Sequence, residues 1–257
     1  FSYNYTMQKG DRTIPLLAFF LVLVFFIVYM VNRSDGFELM KSDSGAYVIL
    51  YYMPFLLCLK KRFLKAFSLI LCMIAVFLAF KRGGIICFFC GLFSYLFVSV
   101  FFAHNYEQKT KKIIGAMLLF FVVAGTLIYI DNFFDGYISH RFTIIEETGG
   151  NGRDEVLVHT FGLIKESSFS GLLVGHGNNA VLQNSYLSLS AHNDFLECLY
   201  DYGIVTFFAY ILLYIFFIVL AIRLVKLNSN LAASLLASIV MFFVNSLVSH
   251  ILLYDWH

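Results

Sequence analysis

Apolar residues run in long blocks along this chain, and the polar ones gather between them. A helix needs about 20 apolar residues to cross a hydrocarbon core roughly 30 Å thick. On that pattern the chain predicts spans near residues 14 to 31, 45 to 59, 66 to 80, 84 to 103, 113 to 130, 203 to 222 and 231 to 252, the second and third being short or weakly bounded. The expected fold class is all-α integral membrane, a polytopic helical bundle of about seven spans with one large external helical loop. The organisation follows as N-terminal spans over 1–130, the loop over 131–202 and the last two spans over 203–257.

Inside the loop the period changes. DEVLVHTFGLIKES, residues 154–167, predicts an amphipathic helix with Val156, Leu157, Phe161 and Ile164 on one side. FSGLLVGHGNN, residues 169–179, reads as a glycine-bounded turn. SAHNDFLECLYDYG, residues 190–203, predicts a second helix with Ser190 as its N-cap, leading directly into the sixth span. A connector this long, between spans otherwise joined by short ones, is usually functional or disordered, and its apolar periodicity predicts that it folds.

Composition agrees: 60% of residues are hydrophobic and 13% charged, against roughly a quarter charged in soluble domains. The net charge of +2 is the sum of two opposed fields. Lys9, Arg12, Lys60, Lys61, Arg62, Lys65, Lys109, Lys111, Lys112, Arg223 and Lys226 share one side with only Asp11 and Glu107. By the positive-inside rule that side is cytoplasmic. Arg33, Lys41, Lys81, Arg82, Arg141, Arg153, Lys165 and the rest of the 16 acidic residues fall on the other, external side. The short loops at 60–65, 104–112 and 223–230 all fall together, a check the span assignment could have failed.

The chain starts at Phe1 and stops at Asp255-Trp256-His257 just after an apolar run, which reads as part of a longer protein. The first span lacks the small-residue cleavage site of a signal peptide. Cys58, Cys72, Cys87 and Cys90 lie in or beside spans and Cys198 stands alone, so no disulfide framework is expected. Cys87 and Cys90 read as apolar packing rather than a redox or metal pair. No catalytic metal, no cofactor and no nucleic-acid partner is expected.

Four features converge on the external side. Arg82 in FKRGGIICF lies where the third span turns back into the fourth, and Arg153 in GGNGRDEVL opens the loop's first helix. His176 belongs to the glycine turn and His192 begins the second helix. A guanidinium presents a fixed fork of donors suited to phosphate oxygens and stays charged where water is scarce. A histidine of near-neutral pKa can accept a proton from an attacking hydroxyl. Plainer readings stand beside these. Arg82 can snorkel at a helix end, Arg153 can pair with a neighbouring carboxylate, and His192 can be a polar residue of a first turn. Gly175 and Gly177 can simply make a tight turn. His104, His140 and His159 lack spaced partners, and His250 with Asn245 reads as an interhelical polar pair.

The ordered series KRGG, NGRDEVL, GLLVGHGNN and AHNDFLECLYDYGIVTF resembles the shared core of the O-antigen ligase and O-antigen polymerase family of bacterial envelope proteins, over roughly residues 45–257. The ligase branch carries His, then Asn, Ser or Gly, nine residues, Gly, two residues, and Gly, Thr or Tyr; His192, Asn193, Gly203 and Thr206 fit it. The resemblance implies a multi-span glycosyltransferase that moves an oligosaccharide from undecaprenyl diphosphate onto an acceptor hydroxyl, with inversion and without nucleotide sugar or metal. It implies that Arg82 and Arg153 bind the donor diphosphate and His192 activates the acceptor, with His176, Asn193, Gly175 and Gly177 in substrate binding. Lys81-Arg82 departs from the Ser-Arg common in the family, so Arg82 is assigned by its position.

The implied partners are the lipid-linked glycan donor, a glycan or lipid A core acceptor and the bilayer; a chain-length regulator is left open. The implied location is the bacterial inner membrane, with the large loop periplasmic. Polymerisation of O-antigen, capsule or related repeat units is the first reading and ligation to lipid A core or protein the second. A non-enzymatic transporter of envelope lipids is the third, disfavoured by the lack of internal repeats and of ionisable residues near the midplane.

Overall fold

The computed structural model describes residues 13–32, 45–102, 106–148, 153–185 and 189–249. Arg33, Lys41, His104 and His250 lie outside the described residues, as do the side chains of Arg141 and Arg153. Every described element is a helix. In chain order they are α1 (Thr13–Asn32), α2 (Gly45–Leu50), α3 (Met53–Leu57), α4 (Arg62–Leu78), α5 (Arg82–Phe101) and α6 (Tyr106–Phe133). There follow α7 (Tyr137–Thr148), α8 (Arg153–Glu166), α9 (Phe169–Val174), α10 (Ala180–Asn184), α11 (Asp194–Val225) and α12 (Ser229–Val248).

Four of these, α5, α6, α11 and α12, are long and apolar enough to cross a membrane. The expectation of seven spans is thus supported for four. The second expected span is interrupted: the chain turns at Tyr51-Tyr52, and Pro54, which has no N–H to donate, lies in the first turn of α3. At 1.5 Å per residue, Gly45–Leu57 reaches roughly 20 Å, short of a hydrocarbon core. The third expected span is α4, with 17 residues. The apolar described stretch of α1, Ile14–Tyr29, is also shorter than the four.

The chain divides into two compact units, Phe1–Ile138 with Ala221–Val240, and Ser139–Leu220 with Met241–His257. The core of the first is apolar. α4 buries Leu69, Cys72, Met73, Val76 and Phe77, a three-and-four spacing that keeps one stripe inward. Phe19 of α1, Ile49 of α2, Met53 of α3 and Phe88 of α5 are fully enclosed as well. In α6 the buried residues are Val123 and Ile130, while Phe120 and Phe121 remain 62% and 65% exposed. A helix that turns large apolar side chains outward on most sides suits lipid rather than water.

KRGG is explained here. Phe80 adopts a left-handed backbone, φ 49°, and its buried ring packs edge-on against Phe134 and Tyr137 at 5.0 and 5.1 Å. That turn delivers Arg82 to the first position of α5, after an extended Lys81. At Gly84 a Cβ would lie 3.0 Å from the Ala46 Cβ, so the second glycine lets α5 and α2 approach closely.

The second unit has a small core of Ala180, Val181, Ala191 and Tyr200, with Leu163 and Ile164 packed on it. The inward face of α8 is Val156, Thr160, Leu163 and Ile164, while Phe161 is 59% exposed. The expected stripe is therefore corrected at Phe161. Thr160 takes the buried position because its hydroxyl donates to the Val156 carbonyl at 2.7 Å and is satisfied within the helix. Residues 169–174, expected to belong to a turn, form the short helix α9, capped by the Ser168 hydroxyl accepting Gly171 N–H at 3.1 Å.

Candidate functional site

The His192 motif is a helix start built around an asparagine. Asn193 Oδ1 accepts the N–H groups of Phe195 and Leu196 at 3.1 and 3.2 Å. Asn193 is therefore the N-cap of α11, which corrects the expectation of Ser190. The physical reason is reach: a cap satisfies the donors two and three residues ahead of it, and Ser190 lies too far upstream. The neighbouring N–H of His192 donates to Glu197 Oε1 at 3.2 Å, so a residue of the first helical turn reaches back across the cap, as in a capping box. Between these bonds His192 takes a left-handed backbone, φ 50°, with its imidazole half-buried. Histidine is one of the few side chains enriched in that region.

Three carboxylates, Asp194, Glu197 and Asp201, are buried on this helix. Their spacing of three and four residues puts them on one face, and each serves a different neighbour. Asp194 Oδ2 accepts the Tyr210 hydroxyl at 3.4 Å. Glu197 holds His192, and Asp201 Oδ1 accepts Val181 N–H from α10 at 2.9 Å. Burial raises the Asp201 carboxyl above its ordinary value, against the N–H donors of α10 that lower it. Burial, reinforced by the three carboxylates, pushes the Cys198 thiol up to about 11. This cysteine is not an activated nucleophile.

At Gly203 α11 breaks, with φ 81° and ψ 176°. The turn after α9 docks into the break. His176 N–H donates to the Tyr200 carbonyl at 3.1 Å and Gly177 N–H to the Asp201 carbonyl at 2.9 Å. An unbroken helix would bond those carbonyls to residues 204 and 205. His176 Nδ1 also lies 3.0 Å from the Tyr200 carbonyl; since a carbonyl only accepts, Nδ1 carries the proton. Its ring stacks on Tyr200 at 4.2 Å. Asn178 accepts the Tyr202 hydroxyl, and Asn184 donates to the Tyr200 hydroxyl at 3.2 Å.

Two glycines make this clamp feasible. A Cβ at Gly175 would lie 2.2 Å from the Asp201 carbonyl oxygen, and one at Gly203 would lie 2.4 Å from that of Leu173. Both positions also have the positive φ that only glycine adopts with such a ψ. The turn meets α11 at Tyr200, roughly 10 Å along the axis from the Asn193 cap.

Beyond the break, Tyr210, Tyr214 and Ser246 share hydrogen bonds. With Asp194 they tie the start of α11 to the apolar part of the same helix and to α12. Phe195 packs on Tyr210, Tyr214 and Phe243 at 5.2, 6.0 and 5.5 Å around the same cluster. These tyrosines, Ser246 and the roles of Glu197 and Asp201 are absent from the candidates drawn from sequence. The one available signal was the three-and-four spacing of the acidic residues.

His192, Asn193, Gly175, His176 and Gly177 therefore belong to one unit, linked through a single helix. Arg153 heads α8 of that unit, and Arg82 heads α5 of the other. No curated protein and no solved structure matches the chain. A family model described as O-antigen ligase matches residues 67–211, more than half of the 257 residues. That stretch runs from before the KRGG turn to beyond the His192 motif. A chain with helices suited to a bilayer, these motifs in order and this match belongs to the O-antigen ligase family of membrane proteins.

Proposed function

We propose that this protein transfers an oligosaccharide from undecaprenyl diphosphate to an acceptor hydroxyl at the outer face of the bacterial cytoplasmic membrane. Membership of the family points to glycosyl transfer of the O-antigen ligase and polymerase type; the donor, the side of the membrane and the residue roles are our reading. His192 takes the proton of the acceptor hydroxyl. The hydroxyl oxygen attacks the anomeric carbon as the bond to the diphosphate breaks, the lipid diphosphate leaves with the electron pair, and the configuration inverts. Arg82 and Arg153 bind the diphosphate and compensate the charge it gains in the transition state. His176, Asn193, Gly175 and Gly177 form part of the substrate-binding wall.

The observation that carries this reading is the setting of His192. A half-buried imidazole sits on a left-handed backbone held by an asparagine cap and a buried glutamate, at the head of a helix that runs into a candidate span. Sparsely populated backbone of this kind persists where the surroundings over-determine it, and it clusters at functional sites. A base placed there lies where a lipid-anchored donor and a water-borne sugar chain can meet.

The acceptor we favour is a second lipid-linked repeat unit, which makes the protein a polymerase of O-antigen, capsule or related polysaccharide. Ligation to lipid A core is the second reading, and the description of the matched family favours it. Transfer to purified lipid A core in place of chain extension would establish the ligase.

The test separates chemistry from conformation. Asparagine tolerates the left-handed backbone but is no base, so His192→Asn in membranes should lose glycan transfer by at least about 100-fold. Unchanged polymer synthesis would remove the base and favour transport. Arg153→Ala and Arg82→Ala should each cost about 100-fold or more, and normal turnover of lipid-linked donor by either inserted variant would exclude that arginine.

A further inference from the structure

An apolar groove of about 640 Å³ runs between α5 and α6 in the first unit, with Phe93, Phe97, Phe101, Ile113, Met117 and Phe120 among its walls. Among the described residues its one charged lining residue is Lys109, near the start of α6. The aromatic side chains point outward: Phe97 is 60% and Phe120 62% exposed. This wall is shaped to take an acyl chain, and the ammonium group belongs to its polar end.

That end is strongly cationic. The segments 60–65 and 106–112 carry Lys60, Lys61, Arg62, Lys65, Lys109, Lys111 and Lys112 against a single described carboxylate, Glu107. Glu107 is already paired with Lys111. Lys112 bridges the two groove helices by donating to the Ser99 carbonyl at 2.7 Å, while Lys65 donates to the Tyr95 hydroxyl at 3.1 Å. The Lys112 ammonium is therefore held on a backbone carbonyl one helical turn from Lys109.

We propose that this groove binds an anionic phospholipid, its acyl chain along the phenylalanine wall and its phosphate at Lys109 within the field of Lys65 and Lys112. Basic pockets between spanning helices favour acidic headgroups, at about fivefold in affinity per cation near the surface. The excess of cations marks this as the end that faces the negatively charged cytoplasmic leaflet. The site is independent of the transfer reading, since it uses none of the residues assigned to that chemistry.

The experiment is retention of lipid by the purified full chain, with native mass spectrometry after equilibration in mixed phosphatidylglycerol and phosphatidylcholine nanodiscs. Wild type should keep phosphatidylglycerol over phosphatidylcholine by at least about fivefold; equal retention overturns the proposal without any variant. Lys109→Glu should abolish the preference, and a preference that survives it removes Lys109 from the site. Ala116→Phe fills the groove while leaving every charge in place. It should lower phosphatidylglycerol retention severalfold; unchanged retention would mean attraction to the cationic surface alone and would overturn the groove as the binding site.

Discussion

The two units hold themselves together by different means. In the first, α1 to α5 pack apolar side chains into one another, and the main polar anchor is the Tyr95 hydroxyl, which meets Lys65, the Leu57 carbonyl and Asn230. In the second, the apolar core is small, and order comes from backbone and carboxylate bonds: a turn pinned to a broken helix, an asparagine cap, and three buried acids each holding a separate segment. The difference teaches where each unit is vulnerable. Side-chain volume is the sensitive quantity in the first and backbone geometry in the second, because a close-packed side chain leaves a cavity when it is cut back whereas a hydrogen bond between two backbones leaves no room for an added atom.

The largest expected effect tests the first half of that contrast. Phe77→Ala empties a fully buried position between Phe88 and Phe89 and should cost about 3 to 5 kcal/mol, read as a lowered thermal midpoint in detergent. Next comes Gly203→Ala, which changes no apolar contact yet places a Cβ against the Leu173 carbonyl at φ 81°; about 3 kcal/mol is expected. Limited proteolysis near residues 169–179 should then accelerate. If Gly203→Ala behaves like wild type, the clamp is softer than its geometry and the contrast fails.

Asn193→Ala should cost about 1 kcal/mol through the lost cap, and it should also lower transfer, since the cap fixes the helix start that His192 immediately precedes. A stability loss with transfer intact would detach the cap from the chemistry. Gly115 lies mid-helix in α6 with nothing within 4 Å of an added Cβ. Gly115→Ala should therefore stabilise the first unit by about 0.5 to 1 kcal/mol, the opposite sign from Gly203→Ala.

The smallest effect concerns pH. Burial raises the Asp201 carboxyl, so the native state favours its protonated form. Its contribution to stability is complete below the ordinary value of 3.8 and is lost as pH rises through the raised one. Asp201→Asn keeps an oxygen acceptor for Val181 N–H and should flatten this part of the stability profile. A profile identical to wild type would show that Asp201 does not titrate against folding.

Much of the molecule could be read from the order of its residues. Runs such as 203 to 222 can be satisfied only in lipid, so class and helical content follow from hydropathy alone, and α5, α6, α11 and α12 overlap the runs that named them. His192, Asn193 and Gly203 stand out by spacing within one short segment, which is why the motif was visible. The second expected span is apolar throughout in composition, while its length depends on a turn before Pro54 that hydropathy does not register.

The local pattern of apolar and polar residues therefore established the membrane class, the helix positions and the family motif, since each depends on neighbours within a few turns. It left open that the 175–177 turn would close on Tyr200 and Asp201, that three acids would serve three segments, and that Lys109 would stand at the end of a lipid-sized groove. Those facts belong to the folded chain, because each rests on backbone or side-chain groups brought together from elements far apart in the sequence.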